Sequence, residues 1–190
     1  MRDSPVVLIA EDEPLASMAL RAQMEALGYV VAGVARDGEE TVALGRCLPV
    51  ELAIVDMKMP GLSGLDAAVE LFRLAPTPVV LLTGFGAADL PASIPRPPIF
   101  AILTKPVGLA ELRTGIQKAR DGFQEWMERE SAAERVREDR EARRLIARAI
   151  AADPENTRHV CDAATSFLEQ AASEGTTPAA LARRMATGGG

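Results

Sequence analysis

Cysteine is nearly absent from this chain: Cys47 and Cys161 are the only two among 190 residues. Two distant thiols make neither a disulfide framework nor a set of zinc ligands. No apolar run approaches the roughly 18 to 20 residues that a membrane span requires. The start, Met1-Arg2-Asp3-Ser4-Pro5, is polar, and the apolar stretch after it ends at Glu11. That is not the core of a signal peptide, and the expectation is a cytoplasmic protein without a membrane partner. A basic excess is missing too. The net charge is −6, of which −4 falls in residues 1–119 and −2 in the remainder. This disfavours nucleic acid as a partner, although a local basic patch could still serve one. What is present is a globular balance of 48% apolar and 25% charged residues, which excludes a mostly disordered chain.

Up to about residue 120, short apolar runs alternate with amphipathic stretches. Val6–Ala10 is continuous and rich in β-branched residues, as expected of a strand covered on both faces. Leu15, Met18, Ala19, Ala22 and Ala26 recur at helical spacing, and Gly28 supplies the stop. Further strands are predicted at 30–35, 52–55, 78–82 and 99–103, and helices at 39–47, 65–72 and from 109 onward. Alternation of this kind implies right-handed crossovers and a parallel sheet. The fold class expected is α/β: a doubly wound, flavodoxin-like sheet of five strands in the order 2-1-3-4-5. The fourth crossover is weak, because Pro91, Pro95, Pro97 and Pro98 leave room for little more than a turn of helix.

Beyond residue 120 the composition shifts to Arg, Glu and Ala. Helical spacing continues through Phe123 and Trp126 and then lands on Glu130, Ala133, Arg137 and Arg140, which does not make a coiled-coil seam. Glu128–Arg144 is predicted as a solvated helix laced with charge pairs. A break is expected at Asp153-Pro154, followed by helices at about 160–171 and from Thr177. The domain expectation is therefore 1–122 for the α/β unit and 123–190 for an all-α extension. So small a helical piece needs the first unit or a second chain to pack on. Trp126 and Met127 fit a homodimer contact and, equally well, packing on the chain's own surface.

In such a sheet, side chains at the carboxyl ends of neighbouring strands converge on one crevice. Those ends carry Glu11 and Asp12, Asp56, Thr83 and Lys105. Carboxylates gathered in this way repel one another unless a cation sits among them, and oxygen ligands select a hard ion such as Mg2+.

With these residues in view, the segments VLIAEDE around Glu11-Asp12, IVDMKMPG around Asp56, LLTG around Thr83 and LTKP around Lys105 resemble the receiver domain of two-component response regulators. The resemblance covers residues 5 to about 120. It implies that Asp56 is the phosphoacceptor, with Mg2+ held by Glu11, Asp12, Asp56 and the backbone carbonyl of Lys58. Thr83 would hydrogen-bond the phosphoryl group, Lys105 would pair with it, and the Lys105-Pro106 peptide would be cis. The donor would be phosphohistidine on a histidine kinase or a phosphotransfer protein. The expected function is that of a phosphorelay response regulator signalling through protein contacts of residues 123–190, and not that of an enzyme.

Two departures from the family pattern concern switching. An aromatic residue usually stands three positions before the lysine, where this chain has Ile102. Phe100 lies two residues earlier and in a regular strand would share the face of Ile102, making Thr83, Phe100 and Ile102 the candidate switch residues. The second departure is the proline-rich crossover. Together with LLTGFG at 81–86 it resembles the FATGUY subgroup of receivers, commonly paired with HWE-type kinases, although Leu81-Leu82 replaces the subgroup's Phe-Ala.

A haloacid-dehalogenase-type enzyme uses similar groups, but there a second Asp follows the nucleophile by two residues. Here Lys58 occupies that place and the acid pair precedes Asp56. The alternative function is a receiver with a nucleic-acid-binding, antiterminator-like helical output, although no matching signature stands out in 144–186. The lone histidine, His159, is read as a surface or packing residue.

Overall fold

The computed structural model describes residues 4–84, 94–152, 166, 167, 169–171 and 173–176. The chain divides into two compact units, Met1–Trp126 and Met127–Gly190.

The first unit is built on β1 (Val6–Ala10), α1 (Pro14–Ala26), β2 (Val30–Ala35), α2 (Gly38–Cys47), β3 (Leu52–Asp56), α3 (Gly64–Leu74), β4 (Val79–Thr83) and β5 (Ile99–Thr104). The first part of α4 (Leu109–Ala152) completes it. All strand pairs are parallel, and the order is β2-β1-β3-β4-β5, the flavodoxin-like arrangement expected from the sequence. β1, β3 and β4 are central, and alternate side chains feed two separate cores. Val7, Ile9, Leu52, Ile54, Val80 and Leu82 pack with Leu20 and Met24 of α1 and with Leu112, Ile116 and Ala119 of α4. Leu8, Ala10, Ala53, Val55, Val79 and Leu81 pack on the opposite face with Ala68 and Leu71 of α3. Burial on both faces is why these strands read as unbroken aliphatic runs.

Local chemistry fixes the helix ends. Pro14 opens α1, where a missing N–H costs nothing, and Gly28 leaves it at φ +86°. Asp37 caps α2 by accepting the Glu40 N–H at 2.7 Å, and Ser63 caps α3 by accepting from Asp66 at 3.2 Å. Such caps contribute about 1 kcal/mol each.

One expectation needs correction. β4 and β5 change register between Val79↔Ile99 and Val80↔Ala101, so β5 carries one extra residue at Phe100. That insertion breaks the alternation of faces. Phe100 packs against the core shared with α1 and α4, whereas Ile102 packs against the opposite core. The two therefore do not share a face, unlike the regular strand expected from the sequence. Phe100 joins an aromatic cluster. Its ring centroid lies 5.7 Å from Phe123, and Trp126 lies 5.0 Å from Phe72 and 5.9 Å from Phe123. Trp126 thus packs on the first unit's own surface.

In the second unit, α4 continues with residues 127–137 exposed, Met127 and Val136 among them. An ion pair of Glu134 with Arg137 at 3.6 Å lies along it, in keeping with a solvated helix. Most of the fourth crossover, the break at Asp153-Pro154, His159, Cys161 and the helix expected from Thr177 lie outside the described residues.

Candidate functional site

The carboxyl ends of β1, β3, β4 and β5 deliver the candidate residues to one crevice. Asp56 and Thr83 are the last residues of their strands, and Glu11 directly follows β1. Backbone pairing locks these ends together. Glu11 N–H donates to the Ala35 carbonyl at 2.9 Å, Met57 N–H to Leu82 at 2.8 Å, and Lys105 N–H to Thr83 at 2.8 Å. The Lys105-Pro106 peptide is cis.

Oxygens of Glu11, Asp12 and Asp56 lie within 4.8 Å of one another, with Glu11 and Asp56 buried and Asp12 exposed. Lys105 extends between two of them, its Nζ 2.5 Å from Glu11 Oε2 and 2.5 Å from Asp56 Oδ2. The other Asp56 oxygen, Oδ1, accepts the backbone N–H of Lys58 at 3.1 Å. Thr83 is buried at the end of the neighbouring strand.

Burial pushes the Glu11 carboxyl above its ordinary range, partly offset by its contacts with Lys105, while the negative charge of Asp56 adds to the rise. Burial acts on the Lys105 ammonium in the opposite direction. Its contacts with Asp56, first, and Glu11 outweigh that effect and raise it overall. The asymmetry has a simple origin: the Glu11 side chain is 1% exposed and that of Lys105 24%, so the carboxylate gives up more hydration for the same contact.

Three carboxylates meet in one cluster, and the Lys105 ammonium bridges two of them. The donors are all oxygen, which fits a hard divalent cation such as Mg2+. The Glu11, Asp12 and Asp56 carboxylates face the same small space, and the Lys58 peptide is held beside Asp56.

Two side chains outside every motif touch the segments that carry this cluster. Gln23 on α1 donates from Nε2 to the Val107 carbonyl at 3.0 Å, just after Lys105-Pro106. Glu39 on α2 accepts from the backbone of Leu62, in the segment that follows Asp56. These contacts bridge 84 and 23 residues, so local sequence patterning carries no signal for either. Of the candidate switch residues, Thr83 stands at the carboxyl end of its strand, whereas Phe100 and Ile102 pack against the two cores.

The family model of the response regulator receiver domain matches residues 7–117. The chain is 37% identical over 143 residues to the transcriptional regulatory protein PdtaR of Mycobacterium tuberculosis, covering 75% of this chain and 70% of that protein. It is 35% identical to the phyllosphere-induced regulator PhyR of Methylorubrum extorquens, over 60% of this chain and 42% of PhyR. Among solved structures, the signal receiver domain of a modulated diguanylate cyclase from Desulfovibrio desulfuricans G20 superposes with a TM-score of 0.59 at 35% identity, covering 64% of this chain and 98% of that one.

Proposed function

The chain belongs to the response regulator receiver family, and from that premise we propose that it accepts a phosphoryl group on Asp56 from a histidine kinase or a phosphotransfer protein. The observation that carries this reading is the bridge of Lys105 between Glu11 and Asp56 inside a cluster of three carboxylates. In this reading Glu11, Asp12, Asp56 and the Lys58 carbonyl hold Mg2+. The bound cation supplies neutralisation of charge on the transferring group.

The chain's own part is nucleophilic attack and positioning. An Asp56 carboxylate oxygen attacks phosphorus, a P–O bond forms, and the P–N bond to the donor imidazole breaks with its electron pair leaving on nitrogen. The Lys105 ammonium, already 2.5 Å from Asp56, remains as counter-charge to the phosphoryl oxygens. The Thr83 hydroxyl, on the adjacent strand end, donates to one of them. The product's phosphoryl group carries about −1.5 to −2 charge units, and because the Asp56 carboxylate charge is consumed in the new bond, the crevice gains about −0.5 to −1. The protein is a phosphoacceptor and not an enzyme with free substrate turnover, and it acts in the cytoplasm. Its output is a contact with a partner protein through residues 123–190, and an HWE-type kinase fits as donor.

A second reading has one observation in its favour. The likeness to PdtaR spans 143 residues, more than the chain holds up to the end of the receiver match at 117, so it runs into α4. PdtaR is named a transcriptional regulatory protein, and a nucleic-acid-binding extension would suit such a relative. Salt-dependent retention of RNA or DNA by the full chain would favour this second reading, whereas its absence beside capture of a protein partner would favour the first.

Uptake of phosphoryl label from a histidine kinase tests the phosphoacceptor assignment. Asp56→Asn is expected to abolish it, and label entering the variant at the wild-type rate would overturn the assignment.

A further inference from the structure

The connection from β3 to α3, residues 57–63, runs directly against the first turn of α2. Contact with α2 is close at two points, Gly38 and Gly61, and the segment also closes tightly between its own ends. A Cβ added at Gly38 would lie 2.2 Å from the Leu62 carbonyl oxygen, and one at Gly64 would lie 1.8 Å from the Asp56 carbonyl oxygen. Gly61 sits at φ +69°, and a Cβ there would meet Glu39 Oε2 at 2.6 Å. The Glu39 carboxylate lies in this junction beside the Leu62 backbone. Glu39 Oε1 and Oε2 each lie 3.1 Å from the Leu62 nitrogen, so both oxygens share a single backbone N–H.

The same connection is tied at its beginning to the candidate site. Lys58 N–H donates to Asp56 Oδ1 at 3.1 Å, and Gly64 N–H returns to the Met57 carbonyl at 3.2 Å. One end of the segment is thus fastened to the Asp56 carboxylate and the other to Glu39. Between them lies the Lys58 peptide, whose carbonyl belongs to the proposed cation set.

We propose that Glu39 is a positioning residue for the cation site: by holding Leu62 it fixes the 57–63 segment, and with it the aim of the Lys58 carbonyl. The inference rests on the proposed function. Glu39 does not belong to the carboxylate cluster formed by Glu11, Asp12 and Asp56, so it acts through the backbone and not as a ligand. Mg2+ demands near-ideal octahedral geometry, and a carbonyl on a loosened segment meets that demand poorly. Groups that orient ligands are worth about 10- to 100-fold in metal affinity when removed. Glu39 is exposed, which places its share at the low end.

The test is titration of the full, unphosphorylated chain with MgCl2 by calorimetry, with circular dichroism and thermal midpoints recorded in parallel. Glu39→Ala and the shorter Glu39→Asp are expected to weaken Mg2+ binding by about three- to tenfold. Glu39→Gln keeps an acceptor oxygen without the charge, and is expected to stay within about twofold of wild type. If Glu39→Ala does not fold, Glu39→Asp carries the test. A merely structural role would lower the thermal midpoint and leave the Mg2+ dissociation constant where it was, and that result overturns the proposal. So does Glu39→Gln falling as far as Glu39→Ala, because the carboxylate would then act by charge and not by holding Leu62. Wild-type protein that fails to bind Mg2+ overturns this proposal together with the function it rests on, whereas wild-type binding with unaltered Glu39 variants overturns this proposal alone.

Discussion

Replacing Lys105 with Met is the sharpest probe of the electrostatics in the crevice. The change removes the ammonium and keeps most of the aliphatic volume. Glu11 and Asp56 oxygens lie within 4.8 Å of each other, and at an effective dielectric of about 20 two charges at that separation repel by about 3.5 kcal/mol. In the wild type Lys105 opposes this with contacts of 2.5 Å to each. The charge-assisted hydrogen bond to Asp56 is worth about 1.5 to 3 kcal/mol, and the ion pair with Glu11 adds to it. Part of that is returned, because the variant no longer desolvates an ammonium, and because the lysine is 24% exposed and partly screened. The net expectation is a loss of about 2 to 3 kcal/mol without metal, equivalent to about 1 to 1.5 M in the urea midpoint. Trp126, the only tryptophan, reports on the first unit by fluorescence. Added Mg2+ is expected to stabilise the variant more than the wild type, since a cation among the carboxylates replaces the missing charge. The pH profile carries a further sign. Lys105 is raised in the folded state, so its contribution is fully present below about 10.5, the ordinary lysine value, and is lost as pH climbs through the higher folded value. A midpoint shift below about 0.3 M in metal-free buffer would refute the reasoning, because the ammonium would then not be offsetting the carboxylates.

Glu11→Gln tests the raised Glu11 carboxyl through the pH dependence of stability. A raised acid favours folding below about 4.5 and loses that contribution as pH rises through its folded value, so wild type should gain on the variant as metal-free solutions are acidified from pH 7.5. A gap in urea midpoint that stays constant down to pH 4.5 would contradict it. Gly64→Ala drives a Cβ into the Asp56 carbonyl at 1.8 Å and is expected to cost at least about 2 kcal/mol in chemical denaturation, together with weaker Mg2+ binding. Wild-type stability would refute the close approach of Gly64 to the Asp56 carbonyl. Phe72→Ala removes the ring 5.0 Å from Trp126, with an expected loss of about 2 kcal/mol and a red shift in tryptophan emission. An unchanged emission maximum would remove Phe72 from the surroundings of Trp126.

Much of the fold was legible in the order of residues alone. Strands covered on both faces need aliphatic side chains at successive positions, so Val6–Ala10 and Leu52–Val55 announce themselves as short unbroken runs. Stops act within a few residues, which is why Gly28 marks the end of α1 without knowledge of anything distant, and the caps Asp37 and Ser63 likewise reach partners only three residues on. Once the strand order was inferred, the residues at the carboxyl ends of the strands had to converge, and Glu11, Asp12, Asp56, Thr83 and Lys105 could be named together. Which oxygen meets which nitrogen was another matter. The Lys105 bridge, the Gln23 bond to Val107 and the Glu39 grip on Leu62 depend on how closely separate elements pack, and no local pattern encodes that distance. The extra residue at Phe100 is the clearest case. Its insertion leaves the composition of β5 unchanged, yet it turns Phe100 and Ile102 to opposite faces because the pairing of Val80 skips to Ala101. Periodicity along the chain is set by neighbouring residues, whereas register and side-chain contacts are set by the partner strand and the helices packed against it, and only the assembled tertiary structure contains those.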